Sequence, residues 1–231
     1  MEKLIYQLGS DAAPETLRET LLGPVAMELQ KAGAVDIEVF VRDIPEELLG
    51  GLFRADQDRM LSAVVSVWLP SLDTRDRIEG PLRPLADRFA GYLVAESLPR
   101  EYASRPCALG ERSPGVCFVT TLRKREDIDD ETFFRNWHGS HTPLSLEIHP
   151  LTRYVRNTVV RSLTPDAPPH RTIVCESVGT IEEAVDPKLF YSSKEGEERA
   201  RKDLATFVDF KTLSTVIMSE YLVVDGPWKP R

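Results

Sequence analysis

The sequence is poor in the features that mark secreted, disulfide-stapled and membrane-spanning proteins. It has only three cysteines, Cys107, Cys117 and Cys175, an odd number without paired spacing, which indicates reduced thiols in a cytosolic protein. No stretch approaches 18 consecutive apolar residues, so no transmembrane helix of usual length is expected. No basic-then-apolar leader follows Met1, and we therefore expect a cytoplasmic protein.

An excess of positive charge is also missing. The chain carries 29 Lys and Arg residues against 37 Asp and Glu, which gives a formal net charge of −8 and a pI near 5.2. No Lys/Arg run is interleaved with aromatic residues, so nucleic acid is not an expected partner, since its phosphates would be repelled. No Gly-x-Gly-x-x-Gly motif or phosphate-cradling loop occurs, and we predict no nucleotide, no flavin and no other cofactor.

What the sequence does contain is a concentration of histidine. Three of its four histidines lie between residues 131 and 157, in a segment that also holds Trp137. On a helix that advances about 100° per residue, Trp137, His138 and His141 project within one largely apolar arc. His141 falls near the middle of that arc and His138 at its edge. The pattern predicts that His141 points into whatever the helix covers.

Two residues interrupt the helical pattern around His141. Gly139 lowers helix propensity, and Pro143 cannot donate to the carbonyl of Gly139, so we predict that the helix breaks and restarts with Thr142 as its N-cap. Such a break would leave backbone N–H groups near His141 available to a ligand oxygen. The alternative is that both histidines are core-edge residues of an amphipathic helix without a chemical role.

The candidate site residues differ in their chemistry. A histidine with an ordinary pKa of about 6.5 exchanges protons near neutral pH, which makes His138 and His141 the candidate catalytic residues. Among the candidate substrate-binding residues, Trp137 would form an apolar wall, and Tyr154 and Asn157 could form hydrogen bonds to the substrate. Arg156 could stabilise an enolate or carboxylate, and Asp209 could orient a histidine. Tyr154 and Asn157 lie on opposite faces of a predicted strand, so a bulge would be needed to bring both into one pocket.

A metal site is a weaker interpretation of the same histidines. His138 and His141 are one helical turn apart, but zinc would need a third protein ligand from Glu147, His149 or Asp209. No Cys-x-x-Cys or His-Glu-x-x-His motif accompanies them. We therefore predict that the site holds no metal.

The order of predicted elements is repeated. Residues 1–102 and residues 116–231 each read β-α-β-β-α-β, and residues 103–115 form a Pro/Gly/Ser-containing linker. When Gly23-Pro24-Val25 is aligned with Thr142-Pro143-Leu144, Leu22 falls opposite His141 and Glu19 opposite His138. The first repeat has no histidine, so we predict one site per chain, in the second repeat. A duplicated scaffold without a site in either repeat is the open alternative.

One segment has a family resemblance. The run WHGSHTPLSLEIHPLTRYVRN resembles the signature of EthD-type proteins of the dimeric α/β-barrel superfamily, and residues 190–220 are similar to the second helix and final strand of that family. The resemblance implies an α+β fold in which two ferredoxin-like βαββαβ repeats pack into one pseudo-dimeric, eight-stranded α/β barrel. It favours Tyr154 as a site residue. His149 stands where relatives carry a Pro-Gly turn, which implies a turn residue.

The resemblance also implies a range of activities. We expect a cofactor-independent lyase, cyclase or isomerase, in which a histidine moves a proton on a small aromatic or polyketide-like compound and Tyr154 holds the developing oxyanion. One alternative is a cofactor-free monooxygenase of the same superfamily. Another is a non-catalytic protein that binds a hydrophobic ligand or haem. The expected partners are a small hydrophobic or aromatic molecule and a second copy of the chain in a homodimer.

Overall fold

The computed structural model describes residues 1–49, 61–104 and 106–226. Residue 105 of the predicted linker and residues 227–231 of the predicted second repeat lie outside the described residues. The strands are β1 (Glu2–Gly9), β2 (Asp36–Val41), β3 (Ala63–Leu69), β4 (Arg88–Arg100), β5 (Val116–Leu122), β6 (Leu151–Ser162), β7 (Thr172–Val178) and β8 (Ser214–Val224). The α-helices are α1 (Pro14–Thr20), α2 (Ala26–Lys31), α3 (Asp76–Leu82), α4 (Asp130–Phe134), α5 (Thr142–Ile148), α6 (Ile181–Val185), α7 (Pro187–Phe190) and α8 (Lys194–Leu204). Within these ranges no helix combines the length and apolar character that a membrane crossing requires.

The strands close into a single antiparallel barrel in the order β1-β3-β2-β8-β5-β7-β6-β4. Each repeat contributes four neighbouring strands, β4-β1-β3-β2 from the first and β8-β5-β7-β6 from the second, which is the strand order of a ferredoxin-like βαββαβ unit. The two sheets meet edge to edge, where β2 pairs with β8 and β4 pairs with β6. The predicted α+β fold, a pseudo-dimeric α/β barrel in one chain, is therefore confirmed.

Side chains alternate between the barrel interior and the helix-covered outer face. On β6, Val155, Asn157 and Val159 are buried and have the parity of the barrel-interior core, whereas Tyr154 belongs to the core beneath the helices of the second repeat. A separate core lies beneath the helices of the first repeat. The period of two along each strand thus determines which residues face the space between sheet and helices.

The predicted helix break at His141 is wrong, because the helix widens instead of ending. Residues Arg135–His141 form a π-helical segment between α4 and α5, and the backbone of both His141 and Thr142 is right-handed helical. The Thr142 N–H donates to the carbonyl of Trp137, five residues earlier, and its hydroxyl donates to the same oxygen at 3.0 Å. Thr142 is therefore not an N-cap. The wider turn accommodates Pro143, which lacks the N–H that a regular turn would need.

The first repeat has the same device. Its helix passes from α1 to α2 through the π-helical segment Leu21–Val25, which contains Pro24. Both repeats thus carry a widened turn at or next to the proline that the sequence alignment matches, Pro24 in the first and Pro143 in the second. The widened turn is therefore part of the scaffold that both repeats share, and only the second repeat carries histidines at it.

A buried arginine joins the two repeats inside the barrel. Arg153, on β6, is 1% exposed and donates to Glu38 on β2 at 2.6 Å, to Glu220 on β8 at 2.9 Å and to Glu101 after β4 at 2.8 Å. The hydroxyl of Tyr102 also donates to Glu220. One guanidinium therefore forms ion pairs with carboxylates of both repeats, at both places where the two sheets meet.

Replacement of this arginine should strongly destabilise the protein. Arg153→Met removes the cation but leaves Glu38 and Glu220 buried without it, which costs roughly 3–5 kcal/mol of unfolding free energy. Equilibrium urea denaturation measures this loss. The matched control is Arg199→Met, since Arg199 makes a bidentate but solvent-exposed pair with Glu147. Equal effects of the two substitutions would contradict a structural role for the buried cluster.

Candidate functional site

A partly enclosed cavity of about 170 Å³ lies between the sheet and the helices of the second repeat. Its walls come from β5, β6, β7 and β8 on one side, and from the π-helical segment, His149 after α5, α7 and α8 on the other. Most of the lining is aromatic or aliphatic. The lining residues are Phe118, Thr120, Leu122, Trp137, His141, His149, Tyr154, Val174, Glu176, Phe190, Tyr191, Ala200, Leu204, Phe207, Leu213 and Thr215. An apolar pocket with a few convergent polar groups is the usual form of a small-molecule site.

His141 is the histidine that the π-helical segment places at this cavity. A π turn holds more than four residues, so His141 lies on the same side as Trp137, four residues earlier. The imidazole is 12% exposed and packs 5.3 Å, centroid to centroid, from the ring of Phe207. Its Nδ1 lies 2.9 Å from Oδ2 of Asp203, and its Nε2 lies 3.3 Å from Oγ of Ser145.

Asp203 is a site residue that the sequence analysis missed. It lies near the end of α8, which begins where Ser193 Oγ accepts from the Gly196 N–H at 3.0 Å. Ala200 and Leu204 of α8 line the cavity, and Asp203 lies at the border of that face. Burial raises the pKa of Asp203, but hydrogen bonds from His141 and Ser140 outweigh burial and lower it overall, so the carboxylate is charged.

The contact with Asp203 defines the chemistry of His141. A carboxylate only accepts hydrogen bonds, so Nδ1 carries the proton and Nε2 is left as the basic nitrogen of the neutral ring. Ser145, next to Nε2, is 1% exposed and does not line the cavity. The arrangement resembles a Ser-His-Asp triad in its order of contacts, but its hydroxyl is out of reach of a substrate in the cavity. It suits proton transfer better than attack by serine.

His149 lines the same cavity and is held neutral. It follows α5 directly, its Nδ1 lies 2.9 Å from the carbonyl oxygen of Phe190, and its ring stacks on the Phe190 ring at 4.1 Å. The carbonyl requires a donor, so Nδ1 is protonated and Nε2 is an acceptor. Burial lowers the pKa of His149 to about 4. The turn position expected from the resemblance therefore also contributes a wall of the cavity.

Tyr154 and Glu176 face each other across β6 and β7 at the floor of the cavity. They are directly paired in the ladder, and both side chains line the cavity. Tyr154 is 1% exposed, and burial followed by the charge of Glu176 raises its pKa. Glu176 was not among the sequence candidates. The signal in the sequence was that Glu176 interrupts an apolar face of the strand Thr172–Val178, on which the residues two positions away are Val174 and Val178.

His138 and Arg156 contact the ring of Trp137 and do not line the cavity. The His138 ring packs 4.7 Å from the Trp137 ring, and the Arg156 guanidinium carbon lies 5.6 Å above that ring. Arg156 donates to Thr142 Oγ1 at 2.8 Å and to Ser97 Oγ at 3.2 Å. Burial and the charge of Arg156 lower the pKa of His138 to about 4. Of the two candidate catalytic histidines, His141 lines the cavity and His138 does not.

Two other sequence candidates lie away from the cavity. Asn157 has the opposite parity on β6, is fully buried, and donates to the Ile173 carbonyl at 3.0 Å. Asp209 does not orient a histidine; its carboxylate accepts from the Lys211 N–H at 3.1 Å and closes a turn after α8. The acid that contacts a histidine at this cavity is Asp203 and not Asp209.

The residues considered for a metal do not converge. Glu147 is paired with Arg199, and His149 is bonded to the Phe190 carbonyl. Among residues 1–49, 61–104 and 106–226, no three His, Cys, Asp or Glu side chains are grouped in a way that could hold a metal ion.

Comparisons with known proteins give the fold. No family model matches the chain, and no curated protein matches it in sequence. Similar solved structures include an anthrone oxidase-like protein (9% identity, TM-score 0.59, 97% of this chain and 94% of that chain). They also include a candidate monooxygenase from Lactobacillus acidophilus NCFM (10%, 0.53, 96% and 96%) and a mutant chlorite dismutase from Candidatus Nitrospira defluvii (10%, 0.51, 96% and 92%). The likeness shows a shared barrel over nearly the whole chain, and at these identities it shows nothing about the reaction.

The neutral histidines should make stability fall in mild acid. The lowered pKa of His149 means that the unfolded chain binds more protons than the folded one between pH about 6.5 and about 4, so unfolding free energy declines as pH falls through that window. His149→Asn keeps a donor for the Phe190 carbonyl but does not titrate. We expect a shallower decline for this variant in urea denaturation measured across that range.

Burial also lowers the pKa values of His138 and His170 to about 4. These two residues therefore still contribute to the loss of unfolding free energy in acid in the His149→Asn variant. A variant whose pH profile matches that of the wild type would show that His149 is not held neutral by the fold.

Proposed function

We propose that this chain, which has the dimeric α/β-barrel fold, is a cofactor-independent enzyme of the lyase, cyclase or isomerase kind that moves a proton on a small aromatic compound. The observation that carries the proposal is the contact of 2.9 Å between His141 Nδ1 and Asp203 Oδ2 at the wall of an apolar cavity. A histidine held in one tautomer by a buried carboxylate is a typical general base.

The proposed mechanism uses three side chains of the second repeat. His141 Nε2 accepts a proton from an acidic C–H or O–H of the bound compound, and Asp203 stabilises the imidazolium that forms. Tyr154, whose raised pKa keeps its hydroxyl protonated, donates to the oxygen on which negative charge develops. The aromatic walls exclude water, so the oxyanion depends on that donor. His141 returns the proton at another position of the compound or to a leaving group.

The size of the cavity bears on the alternatives. A cavity of about 150 Å³ lined by aliphatic and aromatic side chains accommodates benzene, and the cavity here is about 170 Å³. A haem joins four pyrrole rings and is several times larger than benzene, so the cavity in this conformation does not accommodate it.

A monooxygenase would use the same base to make a carbanion that reacts with oxygen. Oxygen consumption during turnover distinguishes that reaction from the proposed one.

Proton transfer can be tested without a known product. Single-ring phenols and enolisable ketones would be incubated with the protein in deuterated buffer, and incorporation of deuterium into the compound would be followed by NMR. We expect His141→Asn and Asp203→Asn each to slow the exchange by about 10²-fold or more, because the first removes the base and the second no longer fixes its tautomer. Asp76→Asn, on the exposed surface of the first repeat, is the matched control.

Asp209→Asn separates the two candidate acids. Exchange near the wild-type rate is expected, since the Asp209 carboxylate closes a turn and does not contact His141. If His141→Asn retained full exchange activity in a compound that the wild type turns over, the role of His141 as the base would be excluded.

A further inference from the structure

The proposed mechanism assigns no role to Glu176, although its carboxyl group lines the cavity. Glu176 projects from β7 on the helix-covered face, opposite Tyr154 on one side and Phe118 on the other. In an antiparallel ladder, side chains that are directly opposite have Cβ atoms about 4.5–5.5 Å apart. A carboxyl group therefore lies between two aromatic rings at the floor of an apolar pocket.

The Glu176 carboxyl has no protein partner for its hydrogen bonds. Among residues 1–49, 61–104 and 106–226, no cation forms an ion pair with it, and no side chain or backbone N–H donates to it. The side chain is half-buried, and a desolvated carboxylate without a partner is costly, which favours its protonated form. Burial raises the pKa of Glu176, and the charge of His141 opposes the rise without cancelling it.

The groups around Glu176 set how it titrates. The helical side presents His141 and His149, and Tyr154 and Tyr191 complete the titratable groups of the cavity. Strand β5, which pairs with β7, and strand β8, one strand further on, contribute Phe118, Thr120 and Thr215, which carry no charge. Asp203 does not line the cavity and is hydrogen-bonded to His141 Nδ1. Because His149 is neutral and the tyrosines remain protonated, the imidazolium form of His141 is the only cation that faces Glu176 in the described part of the chain.

A protonated carboxyl donates one hydrogen bond that an ionised one cannot. In a cavity of about 170 Å³, the space beside this donor accommodates one aromatic ring and a small substituent. We propose that Glu176, in its neutral form, donates a hydrogen bond to a carbonyl or phenol oxygen of the ligand, so that the site selects uncharged single-ring compounds with one such oxygen. The proposal relies on the proposed function for the location of the site, but not on proton transfer by His141.

The test compares two probes that differ in one oxygen. Acetophenone has a carbonyl beside its ring, and ethylbenzene has a similar shape without an acceptor. A site that hydrogen-bonds an oxygen rejects the analogue that lacks it. Titration calorimetry at pH 6 should give binding of acetophenone to the wild type about tenfold tighter than that of ethylbenzene. 1-Acetonaphthone, with a second fused ring, should bind at least about tenfold more weakly than acetophenone.

Two variants at one position identify the donor. Glu176→Gln keeps a neutral donor of nearly the same shape, so the preference for acetophenone should persist and should no longer depend on pH. Glu176→Leu removes the donor, and the two probes should bind within about twofold of each other. In the wild type the preference should decline as rising pH ionises Glu176. The carboxyl ¹³C resonance that disappears in Glu176→Gln reports that ionisation directly.

Each result has a defined meaning. The proposal is overturned if the wild type binds both probes equally or binds neither, if Glu176→Leu keeps the preference, or if Glu176→Gln shows the pH dependence of the wild type. A preference that depends on Glu176, together with no deuterium exchange in any compound, would refute the proposed reaction and leave the ligand class standing. Deuterium exchange that depends on His141, with no effect of Glu176 on ligand preference, would support the proposed reaction and refute the proposed ligand class.

Discussion

The closure of the barrel is the constraint on which the rest of this structure depends. A four-stranded sheet covered by helices on one face exposes its second face and both of its edges. Pairing of β2 with β8 and of β4 with β6 removes all of these at once. The same closure forces the inner faces of both repeats into one interior, where charged side chains must be neutralised locally. Arg153 does this for carboxylates of both repeats, which is why one guanidinium has partners on three different segments.

Closure also explains where a ligand can bind. The apolar part of the barrel interior is packed with side chains from both sheets, and the cavity that contains His141 lies on the outer face, between the second sheet and its helices. In the second repeat, the π-helical segment rotates His141 towards this space and brings it to the carboxylate of α8. A widened turn is costly in a helix unless it is held in place. Here Thr142 donates twice to the Trp137 carbonyl and holds the turn.

The features that follow from local rules could be predicted from the sequence. Strand periodicity and the repeated element order predict the barrel, and the parity of β6 predicts that Tyr154 and Asn157 face opposite ways. The π turn could not be predicted in this way, because Pro143 is compatible with either a break or a widened helix. Asp203 contacts His141 across 62 positions, a tertiary contact that no local pattern contains. Glu176 was visible as a carboxylate in an otherwise apolar alternation, and it is the residue that sequence analysis had the means to find.

Glu79 of the first repeat and Glu176 of the second differ in their partners, and this difference favours the second repeat for the proposed site. In the first repeat Glu79 accepts from Tyr6 at 3.4 Å and is paired with Arg75 and Arg83, while the helix-facing residues of β3 are Ala63, Val65, Val67 and Leu69. The carboxylate there has partners on several sides and stabilises its surroundings. At Glu176 the described residues supply no such partner, although an aliphatic residue like those of β3 would pack without penalty. A cost to stability that one repeat avoids and the other keeps is expected where the group acts on something that binds.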